Sequence, residues 1–543
     1  MQRICSVAFS LFIFVSSFSQ PGENLQRPKL VVGIVVDQMR WDFLYRYYDR
    51  YAANGGFKRM LNQGFSCENT LIPYSPTVTA PGHSTIYTGS VPAIHGIAGN
   101  LWWDEAQQRE VYCTEDKTVK TVGSTTVAGL QSPKNLLVTT ICDELRLATN
   151  FQSKVIGVAA KDRGAIVTAG HSANAAYWYD AGVGKWITST YYMNDLPQWV
   201  KDLNEKKLVD KYYEKGWQTL YPVNTYTQST SDDKPYETKG IGTGFPYDLK
   251  KFIGKSYSAI LSTPHGNTFT IDMAKAAIEG ENLGADAITD ILALSFSSPD
   301  YIGHGYGPNS MEQEDDFLRL DKDLGDFLNY LDSKIGQGQY TIFLSADHGV
   351  AHVPGFMKEN KLPGGFFIEG AVLEQLNQQL KDKFDQVNLA LNISNYQLVL
   401  NNKVINADRK LNRDEIVATA IDFLSKQEAV LRVFDLRKLG QTPLPGKIKE
   451  MTENGYFPAR GGDIQIIFKA NYIESFGSGT GTTHGMWNPY DAHIPLLWYG
   501  WGIKPGKTNR ETYMTDIAPT LAALLHIQMP SGTVGKVITE VIK

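Results

Sequence analysis

The sequence predicts an α/β fold in which a mostly parallel sheet is buried between helices. Short, nearly continuous apolar runs end in polar residues, which is typical of strands buried on both faces. These runs are Leu30–Val36, Val155–Ala160, Ile291–Phe296, Thr341–Leu344 and Ile494–Tyr499. Amphipathic stretches between them, such as Glu314–Leu331, suit covering helices. With 543 residues and 42% hydrophobic content, the chain can also bury a large core.

The charge and cysteine content exclude several classes of protein. The formal net charge is -5, and the Lys and Arg residues form no basic stripe, so nucleic acid is not an expected partner. Of the four cysteines, Cys67, Cys113 and Cys142 lie outside the N-terminal apolar stretch. They are too few and too widely spaced for a disulfide framework or a cysteine-based metal site, although one Cys67–Cys113 bridge stays open.

The N-terminus has the pattern of a secretory signal peptide. Arg3 precedes an apolar stretch, Ile4–Phe18, and small residues surround Ser19. We predict cleavage near Ser19, which makes residues 1–19 the signal and places the mature protein in the periplasm or outside the cell. The alternative is a membrane anchor, but a spanning helix needs about 20 apolar residues and this stretch is shorter. No later segment is expected to span a membrane.

Two regions interrupt the alternation of strands and helices. The stretch near 170–285 is rich in Trp, Tyr, Gly and Asn, and the stretch near 360–478 has strand and helix signals of its own. We therefore predict one main domain, residues 20–543, with two insertions that cover or flank the edge of the sheet where a ligand would bind.

Polar residues follow two of the predicted strands. Asp37 comes directly after the first strand, and Asp347 and His348 follow Thr341–Leu344. In open α/β sheets, ligands bind beyond the carboxyl ends of the strands. Alone, an Asp at such a position is more often a helix cap. Together, these three residues could supply three of the four ligands of a tetrahedral zinc ion.

A second candidate set of metal ligands lies further along the chain. Asp300 and His304 are four residues apart, which places both on one face of a helical turn. His484, in a loop rich in Gly and Thr, would complete a triad and leave one zinc position open, as a catalytic site requires. A simple Asp–His hydrogen bond and a solvated loop histidine are the alternatives.

Thr79 is the candidate nucleophile. It lies in the segment 76–89, a turn that leads into a predicted helix. The backbone N–H groups and the dipole at a helix start favour a bound phosphate and a developing alkoxide. A threonine before Ala80 and Pro81 is also a good helix cap, which is the alternative interpretation.

The order of these motifs resembles the alkaline phosphatase superfamily, which includes nucleotide pyrophosphatase/phosphodiesterases. The resemblance rests on 79–83, 91–97, 347–349, 483–485 and 515–520. It extends over nearly the whole mature chain and is greatest with the phosphate-irrepressible (PafA) type. It implies a three-layer αβα sandwich of alkaline-phosphatase type with inserted cap subdomains, and a monomer.

The resemblance also implies the site residues and the cofactors, two Zn²⁺ per chain. One zinc would be held by Asp37, Thr79, Asp347 and His348, and the other by Asp300, His304 and His484. Mn²⁺ is an alternative, although zinc best suits this mixture of ligands. Asn100, Lys161 and Arg163 match the monoesterase triad of the family. A dianionic monoester exposes a charged oxygen that a diester lacks, so a Lys and an Arg fork would favour the monoester.

These features predict a hydrolase that acts on small phosphate monoesters, with broad specificity, through a covalent phosphothreonine on Thr79. A phosphodiesterase or nucleotide pyrophosphatase is the nearest alternative, since it would share the nucleophile and metal sites. A sulfatase is disfavoured, because it needs Cys or Ser at the nucleophile position and Arg where this chain has His83. A phosphonate hydrolase, a metal-dependent mutase and a non-catalytic phosphate-binding protein also stay open.

Overall fold

The structure is a computed structural model that describes residues 25–238, 240–475, 477 and 479–542. The predicted signal peptide, residues 1–19, lies outside the described residues. Among the helices that are described, none combines the length and the apolar character needed to cross a membrane.

The secondary structure alternates between strands and helices along most of the chain. The strands are β1 (Leu30–Val36), β2 (Phe65–Cys67), β3 (Thr70–Leu71), β4 (Leu101–Asp104), β5 (Arg109–Tyr112), β6 (Thr121–Val122), β7 (Val155–Ala159), β8 (Ala175–Asp180), β9 (Lys185–Ser189), β10 (Asp290–Phe296), β11 (Tyr340–Ser345), β12 (Gly365–Ile368), β13 (Ala390–Ser394), β14 (Gln397–Leu400), β15 (Val430–Asp435), β16 (Ile464–Phe468), β17 (Tyr472–Ser475), β18 (His493–Ile494), β19 (Leu496–Gly500), β20 (Gly506–Thr508) and β21 (Thr512–Tyr513). The α-helices are α1 (Phe43–Arg46), α2 (Gly56–Gln63), α3 (Thr79–Thr88), α4 (Pro92–His95), α5 (Ile141–Ala148), α6 (Asp162–Ala169), α7 (Gln198–Glu205), α8 (Leu208–Lys215), α9 (His265–Gly280), α10 (Ser298–Tyr306), α11 (Met311–Leu331), α12 (Pro354–Glu359), α13 (Glu369–Phe384), α14 (Asn402–Ala407), α15 (Arg413–Ser425), α16 (Gly446–Gly455), α17 (Pro489–Ala492) and α18 (Ile517–Leu525).

The central sheet has the order β20-β2-β19-β11-β1-β10-β7-β8-β9-β6. The five strands from β11 to β8 run parallel to their neighbours, whereas β19 and β9 pair antiparallel at either side. Every residue of β1, β7, β10 and β11 is buried, which explains why these strands are continuous apolar runs in the sequence.

Two groups of helices cover the sheet. Helices α3, α5, α6 and α18 pack together, and so do α2, α9, α10 and α11, while α6 and α9 both pack on β7 and β10. The predicted three-layer αβα sandwich is therefore confirmed. The main core is formed by the apolar residues between these layers.

The strand register brings four strand ends to one edge of the sheet. Val36 of β1 pairs with Phe296 of β10, and Val35 pairs with Ser345 of β11. Ser295 of β10 in turn pairs with Ala159 of β7. The four strands therefore end within about one residue of one another along the strand direction. The residues that follow them meet at this edge of the sheet, where the candidate site lies.

The predicted insertions differ in how they relate to the sheet. Residues between 367 and 486 form a separate apolar cluster around a four-stranded sheet with the order β13-β14-β16-β15. In the stretch near 170–285, however, β8 and β9 extend the central sheet and α9 packs on it. Part of this stretch, with its aromatic residues, thus belongs to the central sheet and to the helical layer that packs on it. The domain boundaries themselves stay a prediction. Cys67, Cys113 and Cys142 are buried and unbonded.

Candidate active site

The first ligand cluster consists of Asp37, Asp347 and His348, all fully buried. Their potential ligand atoms all lie within 4.8 Å of one another. His348 Nε2 is 3.5 Å from Asp37 Oδ1 and 3.3 Å from Asp347 Oδ2. The Thr79 hydroxyl is 3.5 Å from the same nitrogen. The structure therefore brings together the four residues that the resemblance assigns to one metal ion.

The second cluster is centred on Asp300, in the first turn of α10. His304 Nε2 lies 3.2 Å from Asp300 Oδ1, and His484 Nε2 lies 3.6 Å from the same oxygen. His348 also lies close to this cluster, because its ring stacks on that of His484 with the ring centroids 3.5 Å apart. The potential ligand atoms of Asp300, His348 and His484 all lie within 4.8 Å of one another. His348 thus adjoins both clusters, which the sequence did not predict.

The three imidazole rings share one hydrogen-bonding pattern. Nδ1 of His304, His348 and His484 lies 2.8, 2.9 and 2.8 Å from the backbone carbonyl oxygens of Thr482, Gly349 and Thr77. A carbonyl oxygen can only accept, so each Nδ1 carries the proton. In the neutral ring, each Nε2 then presents a lone pair towards the carboxylates, as a metal-binding histidine requires.

Two carboxylate oxygens of the first cluster have no hydrogen-bond partner among the described residues. They are Asp37 Oδ1 and Asp347 Oδ2, and both are buried. Burial and the neighbouring carboxylates of Asp300 and Asp347 raise the pKa of Asp37 well above its usual value. A buried carboxylate oxygen that accepts no hydrogen bond is costly, and a cation would satisfy these two oxygens. The donor set of three Asp and three His therefore fits a metal centre.

Lys161 lies between the two clusters. Its Nζ donates to Asp37 Oδ2 at 2.7 Å and to Asp300 Oδ2 at 2.5 Å, and it is 3.5 Å from Thr79 Oγ1. Burial alone would lower the pKa of Lys161, but these two carboxylates hold it above its usual value. The ammonium group is therefore charged and close to the candidate nucleophile.

Asn100 and Arg163 are held by different neighbours. Asn100 Oδ1 accepts a hydrogen bond from the backbone N–H of Ala80 at 2.9 Å, beside Thr79. Arg163, at the start of α6, donates from Nη1 to the Tyr112 hydroxyl at 2.9 Å. That hydroxyl donates in turn to Asp162 Oδ1 at 2.6 Å. Asn100 and Lys161 thus lie beside Thr79, whereas the side chain of Arg163 is hydrogen-bonded to Tyr112.

Thr79 is the first residue of α3 and is almost completely buried. The preceding residue, Val78, has extended backbone, so the helix begins at the candidate nucleophile itself. Gly82, one turn into the helix, lets α3 approach the first cluster closely. A Cβ on Gly82 would lie 2.4 Å from the carbonyl oxygen of Asp347.

We expect Gly82→Ala to destabilise the metal-free protein by about 1–3 kcal/mol, because the added methyl group would push α3 away from Asp347. Urea unfolding of the metal-free protein measures this change. Gly370→Ala is the matched control, since nothing lies within 4 Å of a Cβ at that position of α13. Equal effects of the two substitutions would contradict the packing argument.

Three residues at the site had no assigned role in the sequence interpretation. His83 donates from Nδ1 to the Thr79 carbonyl oxygen at 2.9 Å, and its position four residues after Thr79 could have indicated this. Tyr112, which holds Arg163, comes from a distant strand and had no local signal. Gln38 contacts both clusters, and its only signal was its place next to Asp37.

Comparison with known proteins identifies the class of this fold and site. A crystal structure of the alkaline phosphatase PafA superposes with a TM-score of 0.93 at 51% identity, covering 96% of this chain and all of that chain. The alkaline phosphatase PhoV of Synechococcus elongatus is 56% identical over 524 residues, 96% of this chain and 94% of the relative. A protein of Myroides odoratus named calcium-transporting ATPase is 54% identical over 544 residues, 99% of both chains.

The chain is therefore an enzyme of the alkaline phosphatase superfamily, as its sequence predicts. Within that class, the model of the type I phosphodiesterase / nucleotide pyrophosphatase family matches residues 31–486, so the chain belongs to this family.

Proposed function

We propose that this protein is a secreted, two-zinc phosphatase that hydrolyses small phosphate monoesters through a phosphothreonine on Thr79. The observation that carries the proposal is the position of the Thr79 hydroxyl, buried at the start of α3. It lies 3.5 Å from both His348 Nε2 and Lys161 Nζ. A hydroxyl with a cation and metal ligands around it is set up to act as a nucleophile.

The assignment of metal ligands follows the two clusters. Asp37, Thr79, Asp347 and His348 would hold one zinc ion, and Asp300, His304 and His484 the other. When bound, zinc supplies positive charge and Lewis acidity to the reacting oxygens. Support comes from the unpaired oxygens of Asp37 and Asp347 and from the three Nδ1-protonated imidazoles.

The chain's own residues divide the reaction into two displacements. The Thr79 hydroxyl loses its proton as its oxygen attacks phosphorus in line. The bond between phosphorus and the ester oxygen breaks, the ester oxygen keeps the electron pair and leaves as the alcohol after taking up a proton, and a phosphothreonine remains. Water then attacks the same phosphorus, which releases phosphate and restores the Thr79 hydroxyl. The start of α3 favours the negative charge of the phosphoryl group. Because Asn100 Oδ1 accepts from Ala80, its NH₂ group is the end that can donate to a phosphoryl oxygen.

The preference for a monoester is assigned to Lys161 and Arg163. A monoester dianion has one more charged oxygen than a diester, and two cations reward that charge. The Tyr112 hydroxyl limits the positions that the Arg163 side chain can adopt. A phosphodiesterase is the second candidate function, because the matching family model carries that activity in its description.

For the unmodified enzyme, we expect kcat/KM for an aryl phosphate to exceed that for the matching methyl aryl diester by roughly 10²-fold or more, since two charge-assisted contacts distinguish them. Steady-state kinetics with zinc-loaded protein measure the ratio, and elemental analysis of the same sample gives the number of zinc ions. A diester preference would make the protein a phosphodiesterase. Phosphate binding without turnover of either ester would identify a non-catalytic binding protein.

Secretion and oligomeric state are also part of the proposal. Cleavage near Ser19 would yield a mature N-terminus at Gln20, which mass spectrometry of exported protein detects. We expect that mature protein to be a monomer in sedimentation experiments.

A further inference from the structure

Gln38 lies between the two ligand clusters in an unusual backbone conformation. It follows Asp37 directly, is fully buried, and has φ of +65°, in the left-handed region that residues other than glycine rarely adopt. Such a conformation persists where the surrounding structure holds it, often at functional sites. The contacts of Gln38 identify what holds it.

The main chain and the side chain of Gln38 contact different clusters. Its backbone N–H donates to Asp347 Oδ1 at 3.1 Å, in the first cluster. Its side-chain Nε2 donates to Asp300 Oδ1 at 2.7 Å, in the second. A single residue thus fixes one carboxylate of each cluster, and only the second contact depends on its side chain.

The packing around the Gln38 amide leaves it little freedom. A Cβ on Gly303 of α10 would lie 1.9 Å from Gln38 Oε1, so glycine at this position makes room for the amide. Gly303 lies next to His304, on the helix that also carries Asp300. The amide is therefore packed against the same helix that presents two ligands of the second cluster.

We propose that Gln38 is a positioning residue that sets the affinity of the second metal site by orienting the Asp300 carboxylate. The inference rests on the two-metal function proposed above. Groups that hold metal ligands in orientation raise metal affinity, and their loss typically costs a factor of about 10–100. Because the backbone N–H holds Asp347 whatever the side chain is, the effect is confined to one of the two sites.

The test is Gln38→Met, which removes the amide and keeps an unbranched side chain of similar length. Metal-free protein is titrated with Zn²⁺ in competition with a chromophoric chelator, which yields two dissociation constants. We expect one to rise by about 10- to 100-fold while the other changes by no more than about twofold. Gly303→Ala displaces the amide without removing it and should weaken the same site. This variant provides the test if Gln38→Met does not fold.

Gln313→Met is the matched control. Gln313 is also fully buried beside Gly303, but its Nε2 lies 3.4 Å from the Pro299 carbonyl oxygen and not at a proposed ligand. Both dissociation constants should stay unchanged in this variant. Equal weakening of both sites by Gln38→Met, or no weakening, would overturn the role of Gln38. Parent protein that binds no zinc would instead overturn the proposed function.

Discussion

Thr79→Ala should abolish phosphoenzyme formation and lower kcat by roughly 10⁴-fold or more, because the substitution removes the attacking oxygen. Asp37, Asp347 and His348 keep their places in the first cluster, so three of the four proposed ligands of that metal ion remain. Metal content should therefore stay close to that of the parent. The measurement is rapid acid quench followed by peptide mass spectrometry. It should find a phosphoryl group on Thr79 in the parent and none at this position in the variant.

Thr77→Ala provides the control for this experiment. Thr77 is buried two residues before Thr79, and its hydroxyl donates to the Met486 carbonyl oxygen at 3.1 Å. Its own carbonyl oxygen, which accepts from His484 Nδ1, is unchanged by the substitution. We expect turnover near that of the parent. If Thr79→Ala retained similar turnover, the covalent mechanism would be wrong and direct attack by water would replace it.

The strands that carry the site could be predicted because both of their faces are buried. A strand such as β1 is apolar throughout and ends directly before Asp37, so the pattern reveals both the element and its position. Strands β8 and β9 are different. They pair antiparallel and contain aromatic residues, so neither forms a continuous aliphatic run in the sequence. The sequence analysis therefore placed them in an insertion, although aromatic residues are good strand formers.

Within the site, motifs that are local in sequence could be predicted, and contacts between distant motifs could not. The pairs Asp347–His348 and Asp300–His304 each lie on one short segment. The stacking of His348 on His484, by contrast, depends on how a loop more than 130 residues later packs. The hydrogen bond from Gln38 to Asp300 likewise joins residues 262 positions apart. The second contact arises because Gln38 and Asp300 follow the paired strands β1 and β10, and neither contact has a local signal in the sequence.

Removal of both predicted specificity cations should have the second large effect. In Lys161→Ala/Arg163→Ala, kcat/KM for the aryl monoester should fall by roughly 10²- to 10⁴-fold, since each charge-assisted hydrogen bond contributes about 1.5–3 kcal/mol. The diester carries less charge for these groups to stabilise, so its kcat/KM should change far less. The ratio of the two values should therefore collapse.

Two further variants separate charge from geometry in this experiment. Arg163→Lys keeps the charge but loses the planar fork, so we expect an intermediate loss on the monoester. Arg109→Ala/Lys117→Ala also removes one Arg and one Lys, whose side chains pair with Glu115 and not with a proposed site residue, and it should leave both rates unchanged. Because the net charge of the protein changes equally in the two double variants, only local contacts can explain a difference between them. A monoester preference that survives the loss of Lys161 and Arg163 would assign the discrimination to other groups around Thr79.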